Sequence, residues 1–462
     1  MRRFLLNIST LLIAALAAAP AWADEGLSAR DKAAIDHVAA DVLAKTGVPS
    51  ASIAVVKDGA IAYVKAYGEG RLDPPTPANP QMRYGIGSIS KQFTATAVLM
   101  LADEGKLSLD DPVGKYVAGL TDGDKVSIRQ VLSHTSGYRD YWPQDYVMDE
   151  MLRPTTPQHI LDRWARIPLD FQPGAEWQYS NTGYTVAGLI VEKVSGEPLM
   201  TFLQQRIFTP LHMTGATEDD TKPLSPADAR GYMRYALGPL HPAPKEAPGW
   251  LFAMGGLAMR ADDLALWDIG QIDQKLLKPQ SYKAQFTSVK LNSGADSGYG
   301  LGVAVKTING RRELEHGGEI SGFLSDNRVY LDDRAAIVVL TNADFGSAQS
   351  AIAEGIEHVL FPGADQTRAA RSIFDGLRKG EIDRNRFTPN ANAYFSDEAL
   401  RDFAASLGPL GEPKEFTLRS KGMRGGMTVE IYRVVYPDRA LAIIMRAYPD
   451  GKVEQFLVQP TG

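Results

Sequence analysis

The sequence predicts an α+β fold, an α/β sandwich whose antiparallel sheet is assembled from both ends of one region and flanked by helices. Three observations carry this. Strand-like runs stand at two distant places, Ala51 to Val56 with Ile61 to Tyr67, and again between Gly300 and Thr341. Tight turns such as Asp58-Gly59 join neighbouring runs, which makes hairpins and hence antiparallel pairing. Between the two places, residues 106–290 show short helical patterns broken by Pro and Gly, a helical region inserted into the sheet.

Residues 1–23 read as a secretory signal peptide. Arg2 and Arg3 give a positive start, Leu11 to Ala19 supply most of an apolar run, and Ala21-Trp22-Ala23 is an A-x-A-like cleavage site. The mature chain is then expected to begin near Asp24 and to be periplasmic or secreted. The apolar run is short for a bilayer span, and no cysteine follows it to carry a lipid, so no stable membrane anchor is expected after cleavage. Cysteine is in fact absent from all 462 residues. That excludes disulfides, thiol nucleophiles and Cys-ligated metal centres. The net charge of -6 leaves no basic footprint for nucleic acid.

The first domain is expected over residues 24–362. Residues 27–46 read as an amphipathic helix, with Ile35, Val38, Val42 and Leu43 apolar. The hairpin around Asp58-Gly59 follows, then a Pro-rich loop at 73–80. Ser88 to Glu104 is helical, with Phe93, Ala97 and Leu101 on one side and Gly105 as a stop. Residues 236–249 read as loop. Gly300 to Thr307, Glu313 to His316, Asn327 to Leu331 and Ala335 to Thr341 are short strands, and a helix at about 347–360 closes the domain.

A boundary is expected at 361–370, where Phe361-Pro362-Gly363 ends the helix and polar residues follow. Residues 371–462 then read as a small α+β accessory domain. It has a first helix, a second at Asp397 to Ser406, and strands at Glu415 to Lys421, Met427 to Tyr436, Ala440 to Arg446 and Val453 to Gln459. Its hairpin-rich ending loosely resembles small cone-shaped folds of the NTF2-like kind.

Common hydrolase signatures are missing. There is no G-x-S-x-G, no H-E-x-x-H and no P-loop, and the seven His are scattered, so neither metal nor cofactor is expected. Three weaker patterns remain. Ser88-Ile89-Ser90-Lys91 is an S-x-x-K that follows Gly85-Ile86-Gly87 and opens a helix, where N–H groups and the helix dipole favour negative charge. Lys91 shares a helical face with Ser88. It can take the serine proton if burial lowers its pKa, or hold a neighbouring phenol as phenolate. The alternative is a capping serine with a solvated lysine. Tyr179-Ser180-Asn181 lies after the Pro173-Gly174 turn and before a helical run, Tyr184 to Val194. A core tyrosine with a capping asparagine would look the same. His316-Gly317-Gly318 ends a strand-like run, and its glycines permit close approach of a substrate, or else a β-bulge.

Taken together, S-x-x-K, Y-x-N and H-x-G in that order resemble the penicillin-recognising serine hydrolases and, among them, the class C β-lactamase family. That group includes D-alanyl-D-alanine carboxypeptidases, D-aminopeptidases and esterases. Leu132-Ser133-His134-Thr135-Ser136-Gly137, Gly255-Gly256-Leu257 with Asp262-Asp263-Leu264, and His316 to Phe323 look like further segments of the family. The resemblance covers about residues 27–360 and is not expected to extend to 371–462.

The resemblance implies a serine hydrolase working through an acyl-enzyme on Ser88. In this reading Tyr179, its pKa lowered by the Lys91 ammonium, is the general base. The backbone N–H groups of Ser88 and Glu319 form the oxyanion hole, and Asn181 binds the acyl side of the substrate beside His316, Gly317 and Gly318. His134 is read as structural. Members that hydrolyse β-lactams carry K-T-G as the third motif, whereas this chain has His316, which is largely neutral at pH 7 and a poor anchor for a carboxylate. Esters, small amides or D-amino-acid peptides are therefore expected before β-lactams as small-molecule substrates. The alternatives are a β-lactamase, a D-alanyl-D-alanine carboxypeptidase, and a non-catalytic penicillin-binding or peptidoglycan sensor.

Overall fold

Helix α1 (Ala29–Thr46) starts where the Ser28 side chain accepts the Asp31 N–H and stops at Gly47, left-handed at φ 72°. The computed structural model describes residues 26–308, 311–361 and 364–461. The signal-peptide reading of residues 1–23 lies outside them. Among the described residues no helix is long and apolar enough to cross a membrane.

Strands β1 (Ser50–Lys57) and β2 (Ala60–Leu72) form the hairpin expected from Asp58-Gly59. Both turn residues have positive φ, 54° and 80°, as a two-residue turn between twisted strands requires. A three-residue strand β3 (Pro75–Pro77) occupies part of the Pro-rich loop. Helix α2 (Ser90–Asp103) follows a single 3-10 turn, Gly87–Ile89. The chain then runs through short helices, of which α3 (Asn181–Ser195) and α4 (Ala261–Ile272) matter most for the site.

The sheet is completed by β4 (Ala304–Ile308), β5 (Arg311–Ile320), β6 (Phe323–Tyr330) and β7 (Ala335–Thr341), and α5 (Ala348–Leu360) returns across it. Strand order is β3-β2-β1-β7-β6-β5-β4, antiparallel throughout. Strands from the two chain ends meet at β1 and β7, where Ile53 stands opposite Val339.

Sheet position explains the unbroken apolar run in β7. Ile337 and Val339 pack with Ile35, Ile352 and Ile356 of α1 and α5. The alternate residues Val338 and Leu340 face the other way, into the core that contains α2 and α4. A strand covered on both faces has no polar side, so the fold is a helix–sheet–helix sandwich.

Helix α2 is buried from Ser90 to Leu101 on every side, not along the single stripe of Phe93, Ala97 and Leu101. A helix apolar all round sits in the middle of a core. Its few polar groups are consequently paired. Gln92 Nε2 donates to Asn327 Oδ1 at 3.1 Å, Trp267 Nε1 donates to Gln92 Oε1 at 3.1 Å, and Asn327 Nδ2 donates to Asp268 Oδ2 at 2.8 Å. Burial pushes the Asp268 carboxyl well above its ordinary range. This network ties the helix that directly follows the Ser88 turn to the sheet and to α4.

Helix α6 (Ala364–Leu377) begins inside the segment 361–370 expected to hold the boundary. Residues such as Asp365, Gln366 and Arg368 read as polar linker, yet Phe374 and Leu377 farther along the same helix are buried. With α7 (Asp397–Leu407), α6 packs on a four-stranded meander, β8 (Glu415–Arg424), β9 (Met427–Val435), β10 (Ala440–Ala447) and β11 (Val453–Pro460). Phe374, Tyr432, Ile443 and Phe456 lie in an apolar cluster of their own, distinct from those of the first sheet.

Candidate active site

The turn before α2 is held against β5 at backbone distance. A Cβ on Gly318 would lie 1.9 Å from Ile86 O and 2.2 Å from Ser325 Oγ, and one on Gly87 would lie 2.6 Å from Glu319 N. Gly87 has φ 50°. Glycine at both positions lets Ser88 and the Glu319 N–H come together, and both residues line the two cavities that meet there, of about 870 and 540 Å³. Gly318→Ala is expected to cost at least ~2 kcal/mol, because backbone would have to move. At Gly317 the nearest atom to an added Cβ is 3.7 Å away, so Gly317→Ala should fold as the parent does. Equal melting temperatures for the two variants would contradict this.

Lys91 is the centre of the polar cluster. Its Nζ donates to Ser88 Oγ at 2.9 Å, Asn181 Oδ1 at 2.8 Å and the Met254 carbonyl at 2.8 Å. It also lies 4.8 Å from the centroid of the Tyr179 ring and 5.5 Å from that of Tyr184. The side chain is fully buried. Burial lowers its pKa to about 7, with Asp140 acting in the opposite direction. The solvated-lysine alternative therefore does not hold.

Tyr179 and Asn181 arrive on the turn that starts α3. The Ser180 side chain caps the helix by accepting the Gly183 N–H at 3.2 Å, and Ser180 N–H donates to His134 Nδ1 at 3.1 Å. The His134 ring packs on Tyr179 at 4.3 Å between centroids, and burial holds its pKa well below the usual range. His134 thus fixes the turn as a neutral imidazole. Tyr179 Oη is buried with no well-formed hydrogen bond. Burial raises its pKa, and the neighbouring Ser88 hydroxyl offsets this only in part. The expected lowering of the phenol's pKa by Lys91 is not what the site produces. Removing both groups from water favours the neutral phenol beside an amine that itself loses charge.

His316 is buried too, and both its ring nitrogens are engaged. Nδ1 lies 2.6 Å from Gly317 O, which can only accept, so Nδ1 carries the proton. Nε2 then accepts from Tyr299 Oη at 2.8 Å. Burial, with Lys91 nearby, lowers the His316 pKa to about 4. The expected substrate contact through His316 would need one of these bonds to break.

Sequence reading missed Asp140, the Met254 carbonyl and Tyr299. Met254 directly precedes the Gly255-Gly256-Leu257 segment, and Asp140 lies three residues after Gly137. Nothing in the spacing alone says that either turns toward Lys91. Asp140 Oδ1 accepts N–H groups of Asn181 at 3.0 Å and Trp142 at 3.2 Å, and Oδ2 accepts Asn181 Nδ2 at 3.3 Å.

Comparison with known proteins agrees with this architecture. A penicillin-binding protein of Bacillus subtilis (strain 168) is 26% identical over 426 residues, covering 87% of this chain and 94% of the relative. The solved D-stereospecific amidohydrolase from Streptomyces sp. is 28% identical with a TM-score of 0.63, over 71% of this chain and 98% of that one. The octameric penicillin-binding protein homologue from Pyrococcus abyssi shares the fold at TM-score 0.63 and 22% identity, over 93% of this chain and 99% of that one. A match of that extent carries the likeness of fold into residues 371–462. The Beta-lactamase family model matches residues 35–359, the stretch that holds every motif named above, and the chain belongs to that family of serine hydrolases.

Proposed function

We propose that this chain is an exported hydrolase that cleaves esters or small amides, D-amino-acid amides among them, through an acyl-enzyme on Ser88. The observation that carries the reading is the 2.9 Å hydrogen bond between Ser88 Oγ and a lysine whose pKa burial brings to about 7. A neutral amine at that distance is a base matched to neutral pH.

In this mechanism Lys91 takes the Ser88 proton as Oγ bonds to the substrate carbonyl carbon. The carbonyl oxygen becomes the oxyanion and accepts the N–H groups of Ser88 and Glu319. Tyr179, a neutral phenol, gives its proton to the leaving group as the bond to the carbonyl carbon breaks, and Lys91 returns one to Tyr179. Water then attacks the acyl carbon as its proton passes to Lys91, and Lys91 gives that proton to Ser88 Oγ as the bond between the acyl carbon and Oγ breaks and the acid departs. This leaves Tyr179 the donor's role alone, where the resemblance made it first the base and later the donor to the leaving group. Asn181, on the wall of the larger cavity, orients the acyl group.

Substrate class follows from His316. No lysine stands at the third motif, and the neutral imidazole is already hydrogen-bonded at both nitrogens. A substrate carboxylate would lose a charge-assisted bond of about 1.5–3 kcal/mol, a factor of roughly 10–100 in kcat/KM. The test compares a p-nitrophenyl ester and a D-alanine anilide with benzylpenicillin. The uncharged or cationic substrates should be faster by at least ~10-fold. Penicillin turnover equal to that of the best ester would remove this reading of substrate class. Export rests on residues 1–23, and the separate apolar cluster supports residues 371–462 as an accessory unit.

A further inference from the structure

The amide of Asn181 has only one sensible orientation. Lys91 Nζ, while charged, can only donate, and it meets Oδ1 at 2.8 Å. The Asp140 carboxylate can only accept, and it meets Nδ2 at 3.3 Å and the Asn181 backbone N–H at 3.0 Å. A chain of polar contacts therefore runs from Asp140 through Asn181 and Lys91 to Ser88. Asp140 does not touch Ser88 in any hydrogen bond, yet it determines which end of the amide Lys91 sees.

The other ionisable groups around Lys91 are neutral. From the loop after Leu132, His134 is held below its usual range by burial, and from β5 so is His316. Tyr179 and Tyr184 from the α3 segment and Tyr299 before β4 are pushed above theirs. Asp140 is the carboxylate whose charge acts on Lys91, and burial raises its own pKa while the Trp142 and Asn181 N–H groups and Lys91 oppose that rise. Tyr141, next in sequence, is likewise kept neutral by burial and by the Asp140 charge.

We propose that Asp140 is a positioning residue that turns the Asn181 oxygen to Lys91 and supplies the negative charge behind that amine. The proposal rests on Lys91 being the base for Ser88. Without the carboxylate, an amide at position 140 would present N–H to the Asn181 N–H. Asn181 would then turn over and offer its own N–H to Lys91, which has nothing to accept it with while charged. The alignment of Lys91 on Ser88 would be lost, and its proton would come off at lower pH.

The test is the rate at which a fluorophosphonate labels Ser88 in the full chain, measured from pH 5 to 9, with the labelled peptide identified by mass spectrometry. The parent rate should rise through a midpoint near the Lys91 pKa. Asp140→Asn, which is isosteric and keeps an oxygen for the two backbone N–H groups, should lower the plateau ~10–100-fold. It should also move the midpoint to lower pH by at least ~0.5 unit. Asp140→Glu keeps the charge and should keep the midpoint even if the plateau falls. With an ester substrate, Asp140→Asn should lower kcat more than it changes KM. A purely structural role would reduce melting temperature and amplitude without moving the midpoint, so an unmoved midpoint in Asp140→Asn overturns the proposal. If the parent protein is not labelled at Ser88, the nucleophile assignment fails and takes this proposal with it. Labelling with an unmoved midpoint sinks the Asp140 role alone.

Discussion

Ser88→Ala is expected to reduce turnover of a short-chain p-nitrophenyl ester by at least ~10⁴-fold, because the reaction loses the atom that forms the acyl-enzyme. The fold should tolerate the change. Ser88 Oγ accepts a hydrogen bond from Lys91, and without it Lys91 keeps Asn181 and Met254 as partners. The melting temperature should therefore stay close to that of the parent. Ser90, two residues on, offers no second nucleophile: it is buried, and its Oγ accepts the Leu257 N–H at 3.3 Å. Parallel ester hydrolysis by parent and Ser88→Ala protein decides the matter. Equal rates would mean that Ser88 is not the nucleophile.

The pairing of Lys91 with Ser88 was legible because the spacing of S-x-x-K is local. Residues three apart on a helix share a face, so the sequence already puts Lys91 beside Ser88. The hairpin at Asp58-Gly59 and the strand Ala335 to Thr341 are legible for the same reason, a short-range signal with one geometric solution. What failed was long-range. The burial of α2 on every side depends on the sheet and the inserted helices closing around it, and the helical pattern alone shows one stripe. The acidity of Tyr179 depends on how much water reaches it, which no spacing encodes. Asp140 stands 49 residues from Lys91 and acts through Asn181, a residue the motif names without saying what it holds. The start of α6 at Ala364 was hidden because polar residues near a helix start look the same as a linker.

Lys91→Met separates the two candidate bases by pH. With Lys91 as the base, activity requires its neutral form, so kcat/KM of the parent should rise with pH up to about 7 and level off above it. With Tyr179 as the base, the rise would belong to a phenol whose pKa burial pushes above its ordinary value, and the profile would still be climbing at pH 9. Lys91→Met should cost ~10²–10⁴-fold in kcat/KM and remove the limb near pH 7. Stability should move differently. A folded-state pKa below the unfolded one means that the unfolded chain holds the proton more tightly. Burying Lys91 therefore costs the fold most at and below about pH 7, and the cost fades as pH rises toward the unfolded pKa. Replacing a buried ammonium by an apolar side chain of similar length removes that cost and leaves Asn181 Oδ1 and the Met254 carbonyl short of a donor. The two effects oppose each other, so at pH 6 the variant should melt no lower than the parent. An inactive variant of undiminished stability would show that the buried amine is kept for its chemistry, at the expense of stability. An active one would leave the proton from Ser88 without its acceptor and return the base's role to Tyr179.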